Sequence, residues 1–422
     1  MSDFICLPEG PVRLENLTVP AALIGADGDL VPFALSLDGN RIVAGGGRPV
    51  DMKGAMILPC FTDMHTHLDK GHIWSRAPNP DGTFMGALET VAADRAANWQ
   101  AGDVRARMEF ALKCAFAHGT RAIRTHLDSV PPQDDISWPV FDELRRDWAD
   151  RIDLQGACLV AIENVSDDGA YGHTADLVNH YGGILGAVAY PVPDLDEKLD
   201  TVFRLAAARG LAVDFHSDET KDPASTTLRA IARAKLRNRF DLPVVVGHCC
   251  SLAQQAEVEA DRTMDLVAEA GLNVVSLPMC NLYLQDRASP RTPRWRGVTL
   301  VHEMAARGIN VSFASDNTRD PFYAYGDLDM IEVMREATRI AHLDHTSAPW
   351  VAAFNRSPAT AIGVQVAGLA PGDPADFILC NARSWTEFFA RPQSDRVVVR
   401  QGRAIDRTLP DYADLDPFME VS

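Results

Sequence analysis

The stretch FTDMHTHLDKG, residues 61–71, sets His65 and His67 one residue apart, directly after the apolar run AMILPCF at 55–61. Side chains two apart in an extended segment point the same way, so both imidazoles can face one ion at a strand end. An isolated pair of this kind is more often surface or core decoration than a metal pair. Its meaning therefore depends on what the rest of the chain brings to the same place.

Working outward, AMILPCF is the first of eight strand candidates. The others are TRAIRTH (120–126), DLQGACLVAI (153–162), GILGAVAY (183–190), LAVDFHS (211–217), LPVVVGH (242–248), LNVVSLP (272–278) and INVSFAS (309–315). Helical patterns such as DVRARMEFALKCAFAHG (103–119) and DLDMIEVMREATRIAHL (327–343) fill most gaps. Apolar strands alternating with amphipathic helices signal parallel β/α units. Eight such units suit an α/β fold built as a closed (β/α)8 TIM barrel, with an open doubly wound sheet as the alternative that counting leaves open. Before residue 55 the chain holds short β-like pieces, LTVPAALI, FALSLDG and RIVAGG, and near the other end ADFILCNA and DRVVVRQGRAI repeat that style. The expected organisation is a barrel over 56–366, with 1–55 and 367–422 building one small β-sandwich. A chain of 422 residues has the length for both cores.

A barrel places its chemistry at the C-terminal ends of its strands. His65 and His67 follow strand one, His216 and Glu219 follow strand five in DFHSDE, His248 ends strand six in VVVGHCC, and Asp316 follows strand eight in FASDN. Among 12 histidines one or two would reach strand ends by chance; four of them together with two carboxylates are harder to arrange. His216 and Asp316 can complete, with the HxH pair, a nitrogen and oxygen donor set that suits zinc or iron(II) and leaves a position for water.

Composition narrows the partners. A formal net charge of −18, with no dense Lys/Arg run to offset it, argues against nucleic acid and against anionic membrane surfaces. The eight cysteines lack CxxC spacing and several sit in apolar runs, as small core residues of a reducing compartment do. The start MSDFICLPEGPVRLENL lacks a signal-peptide pattern, and nowhere do about 18 apolar residues run unbroken. The expectation is a soluble cytoplasmic protein whose partners are water and a small molecule, with homo-oligomerisation left open.

The motifs FTDMHTHLDKG, VDFHSDE, VVVGHC and SFASDN resemble the metal and catalytic motifs of the amidohydrolase superfamily, in particular its cytosine deaminase-like branch. NLYLQDR (281–287), RWRGVTLVHEM (294–304), DPFYAYG (320–326) and the C-terminal LAPGDPADFILCNA extend the resemblance over nearly the whole chain. It implies one divalent metal held by His65, His67, His216 and Asp316, with Glu219, His248 and Asp316 as catalytic groups. GILGAVAYPVPD offers no lysine to bridge a second metal, and Lys70 is read as a loop residue.

Two positions depart from that branch. Where its cytosine deaminases carry a glutamine near the end of strand three, this chain has Ala161, Ile162 and Glu163, and Asn317 replaces a second aspartate after Asp316. Buried polar edges left unpaired cost about 1–3 kcal/mol each, so cytosine itself fits poorly. Glu163, if it faces inward, can accept hydrogen bonds from a 2-amino-4-oxo edge such as that of isocytosine or a pterin. Substrate contacts are expected from Asn317, Glu163, Phe322 and Gln285; Phe84 and Trp74 are further ring partners, and Arg287, Arg291, Arg294 and Arg296 form either an acid-binding cluster or a solvated loop.

The reaction these residues permit is hydrolytic deamination, because a metal lowers the pKa of water from 15.7 towards about 7 while Glu219 shuttles a proton to the ring and to the departing amine. A cyclic amidase or an N-alkylamino-heterocycle hydrolase of the same superfamily is the alternative. A metal- or ligand-binding barrel without turnover is the non-enzymatic one.

Overall fold

The computed structural model describes residues 4–166, 169–345, 349–392 and 395–419. The chain opens with the strands β1 (Val12–Pro20), β2 (Leu30–Asp38), β3 (Arg41–Val43), β4 (Arg48–Asp51) and β5 (Met56–Pro59). The next series is β6 (Phe61–Thr66), β7 (Thr120–Asp128), β8 (Asp153–Leu159), β9 (Leu185–Ala189), β10 (Val213–Ser217), β11 (Val244–His248), β12 (Asn273–Ser276) and β13 (Asn310–Phe313), with helices such as Ala101–His118, Leu195–Arg209 and Glu257–Glu269 between successive members. After the helix Met330–Ala341 the chain ends through β14 (Phe377–Cys380), β15 (Arg396–Arg400) and β16 (Arg403–Ala404).

In the middle series β6, β7 and β8 pair in parallel, and β9 to β13 do the same in sequence order. Runs such as VVVGH show no polar alternation because every residue of the strand is buried, as befits a parallel sheet covered on both faces. The two sheets touch along both edges: Ala157 bridges Ile184 and Ala161 bridges Val188 at one, and Thr66 bridges Asp316 at the other. Backbone hydrogen bonds cross these seams, Ile184 N to Gly156 O and Asp316 N to His65 O both at 2.9 Å. The result is an α/β fold whose parallel strands all end on one side.

The terminal segments form a separate sheet in the spatial order β16, β15, β14, β5, β1, β2, β3, with β4 beside β1. It has its own apolar core, including Leu14, Ile57, Phe377 and Val399. Gly47, at φ +91°, allows β4 this close to β1: a side-chain carbon there would lie 2.6 Å from the Val12 backbone.

One expectation needs correcting. The stretch AMILPCF is not the first parallel strand. Met56–Pro59 pairs antiparallel with β14 in the terminal sheet, whereas β6 begins at Phe61 and carries His65 within it. The chain changes sheets at Cys60 without a break in burial, since Met56 to Thr66 is buried throughout, and hydropathy therefore gives no mark of the crossing.

A buried ion pair joins the two sheet systems. Asp329 caps the helix Met330–Ala341 through Ile331 N at 2.9 Å and takes a bidentate bond from Arg396 of β15. Burial opposes ionisation of Asp329, but the charges of Arg396 and His118 overcome it and hold the carboxyl well below its ordinary range. Because the folded pKa is depressed, the stabilisation is present above the unfolded value of about 3.9 and is lost as pH falls below it. Arg396→Met should cost about 3–5 kcal/mol by leaving Asp329 buried and unpaired. Denaturant unfolding of the variant at pH 7 checks the magnitude, and the deficit should shrink below about pH 4 as Asp329 protonates.

Candidate active site

The side chains at the strand ends converge. His65, near the end of β6, and His67, just beyond it, point the same way, as does Asp63 two residues earlier. Asp63 accepts hydrogen bonds from Ser315 N at 3.1 Å and from the Ser315 hydroxyl, which ties β6 to the segment bearing Asp316. Burial pushes the Asp63 carboxyl up to about 6 against those bonds. His216 lies on β10 and Asp316 follows β13 in a left-handed backbone conformation, φ 65°, that turns its carboxylate inward.

Four donor atoms meet at one point. His65 Nε2 lies 3.1 Å from His216 Nε2, which is 3.2 Å from His67 Nε2, and Asp316 Oδ1 is 3.6 Å from His65 Nε2 and 3.3 Å from His67 Nε2. A tetrahedron with metal–ligand bonds of about 2.0–2.1 Å has edges of about 3.3–3.4 Å, which these four separations approach; the ligand atoms that all lie within 4.8 Å of one another are those of His65, His126 and His216 and those of His65, His248 and Asp316. Burial holds all three imidazoles well below their ordinary pKa, which leaves them neutral with lone pairs to give, and pushes Asp316 up to about 7.

Sequence reasoning missed His126. It lies on β7, fully buried, with Nε2 3.1 Å from His65 Nδ1. With the His65 lone pair directed through Nε2, its proton sits on Nδ1 and is donated to His126, which fixes the ring. Below it Arg124 of β7 pairs with Asp214 of β10 at 2.8 Å. The signal was present in TRAIRTH, which ends on a histidine as VVVGH does.

Beside the donors stand Glu219 and His248. Burial first, and the Asp316 charge second, raise the Glu219 carboxyl well above its ordinary range. Burial pushes His248 down to about 3, so it is neutral. His248 also has a left-handed backbone, φ 70°, at the end of β11. Asn281 touches both, its Nδ2 3.0 Å from Glu219 Oε1 and 3.1 Å from His248 Nδ1. The group opens onto a cleft of about 580 Å3 whose walls include His216, Glu219, Phe84, Tyr190 and Gln285.

The expected substrate residues fare unequally. Gln285 lines the cleft and donates to the Glu219 carbonyl at 3.2 Å. Asn317 is buried and donates to Asp320 at 2.7 Å, and Phe322 packs edge-on against Phe84 at 5.5 Å between ring centres. Glu163 corrects the inward reading: it is exposed in a short helical turn, Ile162–Asn164, after β8, and its carboxylate pairs with the Tyr190 hydroxyl at the cleft wall. The strand ends at Leu159, so the alternation that would aim Glu163 inward stops four residues before it. Lys70 pairs with Asp128 at 3.3 Å. Of the arginine cluster, Arg287 stacks on Tyr283 at 4.3 Å and Arg291 bonds Asp286 at 2.6 Å.

Comparison with known proteins identifies the family. Residues 161–406 match the amidohydrolase family. The chain is 53% identical to a pterin deaminase of Rhizobium rhizogenes (strain K84) over 96% of this chain and 95% of that one. It is 22% identical to N-isopropylammelide isopropyl amidohydrolase of Pseudomonas sp. (strain ADP) over 84% and 87% of the two chains. The crystal structure of 5-methylcytosine deaminase from Klebsiella pneumoniae with 5-fluorocytosine superposes with a TM-score of 0.79 at 24% identity, covering 94% of this chain and 98% of that one, and speaks for the fold. The chain belongs to the amidohydrolase family.

Gly247 gives the donor cluster a test of its own. A side-chain carbon at this β11 position would lie 2.9 Å from His65 Cε1, closer than such atoms pack, so the imidazole would have to move. Gly247→Ala should keep the fold by circular dichroism but weaken metal retention about tenfold, as changes to groups that brace a ligand do. Metal per chain after dialysis against graded chelator checks it.

Proposed function

We propose that the chain is a metal-dependent hydrolase of carbon–nitrogen bonds that deaminates a pterin-type ring, releasing its 2-amino group as ammonia and leaving a 2-oxo ring. The observation that carries the reading is 53% identity to a pterin deaminase across nearly the full length of both chains. The cleft supports it, since about 580 Å3 is within the range of small-molecule sites, about 300–1,000 Å3, and exceeds what a single six-membered ring needs.

In this reading His65, His67, His216 and Asp316 hold one divalent metal, zinc or iron(II), which when bound acts as a Lewis acid and lowers the pKa of water. Asp316 accepts the proton of the attacking water. His248 orients that water from its Nε2, which has no hydrogen-bond partner among the described residues. Glu219, protonated, gives its proton to the ring nitrogen next to C2 and later carries one to the departing amine. The C2–O bond forms, the C2–N bond breaks, and ammonia leaves. Phe84 and Phe322 flank the ring, with Gln285 at its polar edge.

The same reading takes 56–366 as a closed (β/α)8 TIM barrel, supported by the bridges at both seams, and 1–55 with 367–422 as a β-sandwich that also borrows β5. A cytoplasmic setting is supported by eight unpaired cysteines, and no helix among the described residues is long and apolar enough to cross a membrane.

Metal-loaded protein given pterin should release one ammonia per ring consumed. Glu219→Gln should lower kcat about 10²–10⁴-fold with metal content unchanged. Ring opening, release of an alkylamine from an N-alkylated ring, or an inactive enzyme on pterin with turnover of cytosine would each displace this reading.

A further inference from the structure

We propose that Asn281 is a positioning residue that decides where the proton of His248 sits, on Nε2. The effect on rate rests on the deaminase reading above; the proton position does not.

Asn281 lies in the helix Pro278–Leu284 directly after β12 and is 1% exposed. Its Nδ2 stands 3.0 Å from Glu219 Oε1 and 3.1 Å from His248 Nδ1. An amide nitrogen has two hydrogens and no lone pair to offer, so both neighbours accept. His248 Nδ1 is then unprotonated, and the single proton of a neutral imidazole is on Nε2. That nitrogen is buried with no hydrogen-bond partner among the described residues, so its N–H remains to be given to an oxygen in the site. Glu219 Oε1 accepts from the same amide. One side chain thereby makes His248 a donor rather than a base.

The surroundings hold Asn281 in place. Gly297, at φ +72°, brings the following loop so close that a side-chain carbon there would lie 3.1 Å from Asn281 Cβ and 2.6 Å from Gln285 Cγ. Gln285 in turn donates to the Glu219 backbone carbonyl at 3.2 Å. Turning the amide over would present Oδ1, require Nδ1–H on His248, and leave Nε2 with a lone pair. The two orientations therefore assign His248 opposite chemical roles and can be told apart.

The experiment is long-range 1H–15N correlation on metal-loaded protein labelled at histidine, with the His248 signals assigned by their loss in His248→Gln. The expected result is an unprotonated Nδ1 and a protonated Nε2 in wild type. Asn281→Leu should give mixed tautomers and lower kcat about 10²-fold, the cost of removing one aimed donor, with KM changed less than about threefold. In a His248→Gln background the same substitution should cost much less, because its effect acts through His248. A wild-type Nδ1–H signal, or an Asn281→Leu loss that is undiminished in that background, would overturn the proposal. The wild-type spectrum decides even if the leucine variant fails to fold. Protein with the expected tautomer but no action on pterin would overturn the substrate reading alone, and an active deaminase with Nδ1–H would overturn this one alone.

Discussion

Among the buried donor atoms of His65, His67, His216 and Asp316 four pairs lie 3.1–3.6 Å apart, and they repel one another wherever each directs a lone pair inward, since burial removes the water that would screen them. A divalent cation turns that repulsion into attraction, but only if the scaffold brings the donors together. Much of the architecture can be read as the means of doing so. His248 and Asp316 adopt left-handed backbone conformations that cost of order 1–3 kcal/mol each in a residue with a side chain. Such strain persists where the surroundings leave no alternative, here the seam bond from Asp316 N to His65 O and the Asp63 bonds to Ser315.

Support also comes from outside the parallel sheets. The loop that follows His67 is gripped by Arg107, which donates to the Asp69 carbonyl and to Gly71 O at 3.0 Å. Arg107 bonds Asp103, Asp103 bonds Arg76, and Arg76 reaches the carbonyl of Phe418 at 2.6 Å. Asp69 accepts from Asp128 N at 2.9 Å, which fastens the loop to the end of β7. The C-terminal segment is thus linked through three charged side chains to the loop bearing the HxH pair. The last stretch of chain takes part in holding the site as well as in completing the terminal sheet.

Much of this was legible in the residues. Strand-end histidines and carboxylates are short-range signals, because the alternation of side chains fixes their direction once a strand is recognised, and His65, His67, His216, His248, Glu219 and Asp316 do meet. His126 obeys the same rule and was overlooked for lack of a motif around it. Two features were not legible for physical reasons. The run from Met56 to Thr66 is buried in two different sheets, so its hydropathy is continuous across the change of partner. Glu163 lies beyond the last paired residue of β8, where the chain has left the extended conformation on which its inward orientation depended. Asn281, an unremarkable polar residue within a helix, acquires significance only from the two side chains that other strands bring to it.

The same distinction bears on how the ring is chosen. Arginines near the cleft mouth suggested recognition by charge, yet Arg291 is engaged by Asp286 and Arg287 by the Tyr283 ring and carbonyl. A group already bonded must give up a partner before it can hold a substrate. The same holds for Asn317, whose amide is spent on Asp320. In the proposed mechanism, what reads the ring is therefore weighted toward the deep end of the cleft, where Glu219 and His248 would present protons to it. A heterocycle whose ring nitrogen lies beside the amine-bearing carbon would meet that end in the orientation this chemistry requires, and recognition and proton delivery would then fall to the same two side chains.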